Sequence, residues 1–130
     1  MSYKIFAFSL LASVVFSACS NPEPAEIAAK TAKLYYSYLL EGKYNEFLEG
    51  EYRADSIPDS YHSQLVDNAK MFVHQNRKRN KGIKSIESGR STYDEKTHTA
   101  NVFLIFTYGN GRTEQVLVPM LEKGGVWYMR

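Results

Sequence analysis

The apolar residues change their spacing at Gly82, and that switch limits the chain to a fold with helices first and strands last. Between residues 25 and 40, Ile27, Thr31, Leu34, Tyr35 and Tyr38 recur three or four positions apart, and Ala28, Ala32 and Leu39 widen the stripe. That is the period of a helix with one buried face, closed by Gly42. Residues 44–48 read as a short second helix, and 50–56 as irregular chain or a brief strand. Pro58 and Asp59 open a long third helix, with Asp59 or Ser60 as its expected cap. Its stripe is Tyr61, Leu65, Ala69, Phe72 and Val73, and it ends in the cations Arg77, Lys78, Arg79 and Lys81, which suit the negative end of a helix dipole.

After Gly82 the period becomes two. Residues 83–93 have strand character, and Asp94-Glu95-Lys96 forms a turn. Residues 98–108, rich in Val, Phe, Ile and Thr, give the clearest strand. Gly109-Asn110-Gly111 tolerates positive φ and predicts a tight hairpin. Residues 113–121 form a third strand, in which Pro119 lacks an N–H and marks a bulge or an unpaired position. After Gly124-Gly125, residues 126–130 form a short last strand with Trp127 and Met129 on one face. Helices followed by four hairpin-linked strands predict an α+β domain, an antiparallel meander curled over the helices. In the second strand Val102, Leu104 and Phe106 face one way and Phe103 and Ile105 the other. Apolar residues on both faces predict that both are covered, one by helices and the other by a second subunit.

The first twenty residues have a different purpose. Lys4 precedes a twelve-residue apolar run from Ile5 to Phe16, interrupted only by Ser9 and Ser13. The run is too short for an ordinary transmembrane helix, which needs about 20 residues, and has the length of a signal-peptide core. Ser17 and Ala18 then lead into Cys19. This ending resembles the lipobox of bacterial lipoproteins, with Phe16 in place of the usual Leu, a departure seen in Bacteroides-like bacteria. The resemblance implies removal of residues 1–18, a diacylglycerol thioether on Cys19, and a short tether over 19–24. A thiol is required because its sulfur is the nucleophile that takes the lipid. Ser20, where an Asp would retain the protein at the inner membrane, favours the outer membrane by the same resemblance.

Cys19 is the sole cysteine, so the exported part, about 110 residues, must be stable through its core without an internal disulfide. Removing Lys4 leaves 15 basic against 14 acidic residues, a balance that gives no reason to invoke nucleic acid. His62, His74 and His98 lie at least twelve residues apart, with no HxxxH or CxxC spacing, so neither a metal site nor another cofactor is expected. No serine sits in a G-x-S-x-G elbow, and no helix follows Gly109-Asn110-Gly111 to make a phosphate loop.

Over residues 25–130 the chain resembles an uncharacterised family of Bacteroides-type lipoproteins in the nuclear-transport-factor-2-like, or cystatin-like, superfamily. The carrying features are the helix closed by Glu41-Gly42-Lys43-Tyr44 and the final Lys123-Gly124-Gly125-Val126-Trp127-Tyr128. The resemblance implies a sheet folded into a cone that helices close on one side, with a small ligand inside or a dimer on the outer face. The expected pocket walls are Tyr35, Tyr38, Phe72 and Trp127, residues that equally suit plain core. The expected function is non-enzymatic binding of a small ligand or an envelope protein. The alternative is an isomerase- or dehydratase-like enzyme with an acid–base site in the cone, for which His74 and Tyr38 are the candidates.

Overall fold

The structure is a computed structural model and describes residues 23–130. The expected processing site at Cys19, the segment 1–18 and most of the tether lie outside the described residues. Three helices precede four strands: α1 (Pro24–Leu40), α2 (Tyr44–Glu49), α3 (Asp59–Asn80), β1 (Ile83–Asp94), β2 (Thr99–Tyr108), β3 (Thr113–Lys123) and β4 (Val126–Met129). The strands form one antiparallel sheet in the order β1-β2-β3-β4. The α+β architecture expected from the switch at Gly82 is present, with helices packed on a four-stranded meander.

Pro24, expected as the end of the tether, is instead the first residue of α1. Its fixed φ suits a first helical turn, where the missing N–H costs nothing. The buried face of α1 is the small-residue side of the expected stripe, with Ala29 added. Ala28, Ala29, Ala32 and Leu39 are buried, whereas Ile27 and Leu34 are 40% and 46% exposed. Close approach to β1 and β2 selects the small side chains, because an alanine face lets a helix lie near the sheet without voids. Tyr36 and Leu40 then fill the space beside them.

Neither Asp59 nor Ser60 caps α3. Pro58 holds the cap position, and its carbonyl accepts the His62 N–H at 3.0 Å with no side-chain cap bond. At the far end Lys81 is left-handed (φ 60°) and Gly82 follows at φ 81°. This turn brings α3 against the β2–β3 hairpin. The Gly109 N–H donates to the Gly82 carbonyl at 2.9 Å and the Asn110 N–H to the Asn80 carbonyl at 3.1 Å. A side chain at Gly109 has no room, since its Cβ would lie 2.2 Å from the Lys81 carbonyl oxygen.

β1 carries one extra residue between Ile83 and Ser85 and another between Ser88 and Ser91, relative to β2. Such bulges bend a strand and increase its twist. Pro119 disrupts no register. It pairs with Asn101 on one side, and on the other its carbonyl accepts the Arg130 N–H at 3.1 Å, just past the end of β4. Its lack of an N–H therefore falls at an unpaired position, one of the two expected alternatives.

The inner face of the sheet supplies the core. Val102, Leu104 and Phe106 of β2 are at most 1% exposed, beside Val118, Met120, Trp127 and Met129. Burying each large side chain contributes about 1.5–3 kcal/mol. The outer face is different. Phe103 pairs with Leu117 and Ile105 with Gln115, and Ile105 and Leu117 are 37% and 49% exposed. Among the described residues of one copy, the second face expected to be covered is open.

Candidate functional site

α3 meets the sheet at β1 and, through its last residue, at the β2–β3 turn, and a cleft of about 370 Å³ lies between its second half and the hairpin. Helical spacing brings Phe72, Gln75, Asn76, Arg79 and Asn80 to the side of α3 that lines it. The opposite wall is the inner face of the hairpin. Phe106 and Glu114 are cross-strand partners, and Tyr108 is the next inward residue on β2. Tyr36 of α1 closes the inner end.

The wall is aromatic and ordered. The Tyr36 ring lies 5.6 Å from Phe106 and 5.4 Å from Phe47, and Phe106 meets Tyr108 edge-on at 6.4 Å. Contacts of this geometry stabilise beyond simple burial. Tyr108 is 7% exposed, and its hydroxyl donates to the Glu114 carboxylate. Burial pushes the Tyr108 phenol up to about 12, and the bond to Glu114 adds to the shift. The phenol is therefore protonated at neutral pH and committed to Glu114. It fixes one carboxylate oxygen of Glu114.

The helix side of the cleft is polar. The Asn80 amide donates to Asn76 Oδ1 at 3.1 Å, and the Asn76 amide donates to the Phe72 carbonyl at 3.0 Å. Among the described residues no carboxylate lies within ion-pair distance of Arg79. A larger hollow of about 590 Å³, at the start of α1, is lined by Glu23, Glu26, Lys30, Ser88 and Ser91 with small residues between them. Lacking any large apolar wall, it is the poorer candidate despite its size.

No protein-family model matches the sequence, and no curated protein matches it either. A solved structure does. It is the crystal structure, at 2.00 Å resolution, of a Campylobacter jejuni protein provisionally described as an NTF2-like transpeptidase. The match has a TM-score of 0.60 and 17% identity, over 77% of this chain and 94% of that one. The fold is NTF2-like. At this identity the likeness concerns the fold alone, and the activity in the description stays with the Campylobacter protein.

In this NTF2-like chain the four expected wall residues separate. Phe72 lines the cleft. Tyr35 and Trp127 meet each other elsewhere, the Tyr35 hydroxyl donating to the Trp127 carbonyl at 2.6 Å. Trp127 is 3% exposed and packs edge-on against Tyr93 at 5.9 Å. The Tyr38 ring carries the Lys43 ammonium at 5.7 Å and lines no part of the cleft. His74 is exposed on α3 and also lies outside the cleft lining. His62 pairs with Asn45 Oδ1 at 2.9 Å, and His98 Nδ1 lies 3.3 Å from the Tyr93 hydroxyl. Among the described residues no group of three or more His, Cys, Asp or Glu could hold a metal.

Tyr36, Tyr108 and Glu114 were not legible in the sequence as site residues, and Arg79 was legible only as part of the basic end of α3, Arg77 to Lys81, which suits phosphate groups or plain solvent. A signal for two of them was present. A hairpin through Gly109-Asn110-Gly111, extended by strand alternation, places Tyr108 and Glu114 on the face of Phe106. The side of α3 that faces them depends on where the helix docks, which no periodicity records.

Proposed function

We infer that the chain is a lipid-anchored envelope protein whose exported domain binds a small ligand in the cleft between α3 and the β2–β3 hairpin. One observation carries the binding reading: three aromatic walls, Tyr36, Phe72 and Phe106, converge with a fixed carboxylate and a nearby guanidinium in one recess. Small-molecule sites combine apolar walls with few, well-placed polar groups in this way, and the volume lies at the lower end of the usual range of roughly 300–1,000 Å³. The anchor rests on the sequence from Phe16 to Cys19.

Binding is favoured over acid–base catalysis. The Tyr108 phenol is engaged by Glu114, so it is a poor donor to a substrate carbonyl. Transpeptidation, the activity suggested for the Campylobacter protein, needs a nucleophile, and the side chains lining the cleft include no Cys, Ser or His. Extraction of the protein, purified undenatured from its own host, tests the reading. Organic solvent should release one small molecule at close to one per chain. An empty extract would remove the basis for it. Labelled palmitate tests the anchor: it should enter the wild-type chain and not Cys19→Ser.

The outer sheet face favours a second role. Phe103, Ile105 and Leu117 form a contiguous apolar surface that suits a second copy of the chain. This reading makes the protein a homodimer with the two clefts facing away from the interface.

A further inference from the structure

The cleft walls carry opposite charges. Glu114 belongs to the sheet wall, where Tyr108 fixes one of its oxygens. Arg79 belongs to the helix wall, with no carboxylate within 4.0 Å among the described residues. Both line the same 370 Å³ recess, and the remaining walls are the rings of Tyr36, Phe72 and Phe106 with Val116. Two opposite charges in one recess that do not neutralise each other leave two partners to be supplied. A purely anionic ligand would satisfy Arg79 and be repelled by Glu114. A purely cationic one would do the reverse. A neutral apolar ligand would cover the rings and desolvate both charges without compensation, which is costly.

We propose that the cleft takes a free α-amino acid with an apolar side chain, its ammonium on Glu114, its carboxylate on Arg79 and its side chain among Tyr36, Phe72 and Phe106. This rests on the ligand-binding reading above and adds the chemical class. Each contact is a charge-assisted hydrogen bond, and a guanidinium can hold a carboxylate through two parallel bonds. Gln75 and Asn80 on the helix wall supply amide groups beside the carboxylate end. The hydrogen bonds from Gly109 and Asn110 to the Gly82 and Asn80 carbonyls tie the hairpin to the end of α3 and hold the two walls in a fixed relation.

The test is calorimetric titration of the full-length lipoprotein in detergent with three probes: phenylalanine in both enantiomers, phenethylamine, which lacks the carboxylate, and 3-phenylpropionate, which lacks the amine. One enantiomer of phenylalanine should bind about tenfold more tightly than either analogue. In Arg79→Gln the advantage over phenethylamine should vanish while that over 3-phenylpropionate persists. In Glu114→Gln the pattern should reverse. Both side chains are exposed, so the variants should fold, and the comparison of probes on the wild-type protein needs no variant. Analogues that bind as tightly as the amino acid overturn the proposal. So does a failure of all probes, and that case divides further. A different small molecule in the organic extract would overturn only the ligand class, whereas an empty extract would overturn the binding reading with it.

Discussion

Tyr108 shows how one buried hydroxyl can set the chemistry of a site. Its phenol is raised to about 12 against 10.0 for a free tyrosine, first by burial and then by Glu114. The sign of the linkage follows. Below pH 10 both folded and unfolded chains keep the proton, and the stabilisation is fully present. Between about pH 10 and 12 the unfolded chain loses it first, so stability falls as pH rises. Tyr108→Phe should flatten that part of the stability–pH curve relative to wild type. At neutral pH it should cost about 1 kcal/mol through the lost hydrogen bond, measured by denaturant titration. An unchanged alkaline slope would show that Tyr108 does not titrate abnormally. Gly50 makes a second prediction at this scale. A Cβ there would lie 2.6 Å from the Tyr35 ring, which is held by its bond to the Trp127 carbonyl and cannot withdraw. Gly50→Ala should destabilise by about 1–3 kcal/mol, read as a drop in Tm.

The helices and strands were legible in the sequence to different depths. The strands were readable almost entirely, because alternation and turn chemistry are local. Gly109-Asn110-Gly111 and Gly124-Gly125 placed two of the hairpins within a residue or two. The faces of the helices were less readable. Period marks Ile27 and Leu34 together with Ala28 and Ala32 on one stripe of α1, yet only the alanines of these are buried, because the sheet below decides which side chains fit. The cleft was the least readable part. Tyr108 and Glu114 face Arg79 only through the turn at Lys81 and Gly82, a tertiary contact between chain segments that the sequence pattern treats separately. A contrast between two leucines checks the assignment of sheet faces. Leu104 is 0% exposed on the inner face, so Leu104→Ala should cost about 2–5 kcal/mol. Leu117 lies on the outer face of β3, so Leu117→Ala should shift monomer stability by no more than about 0.5 kcal/mol. Equal losses in chemical denaturation at low concentration would contradict the assignment.

The whole molecule presents two surfaces on opposite sides of one sheet, an inner cleft under α3 and an outer apolar face. Lying back to back, the proposed ligand site and the proposed dimer face would not compete. Light scattering of the wild-type protein at high concentration should give a dimer, and Leu117→Glu should give a monomer of unchanged helix and strand content. A wild-type monomer would remove the dimer from the account and leave the cleft untouched. The most direct test of the cleft is native mass spectrometry of the protein purified from its own host, beside a Val116→Trp variant whose larger side chain fills the recess. A reproducible small-molecule mass on the wild-type chain, beyond any covalently attached acyl group, and its loss in Val116→Trp are expected. A wild-type chain with no added mass, or an added mass that the variant retains, would contradict ligand binding in the cleft.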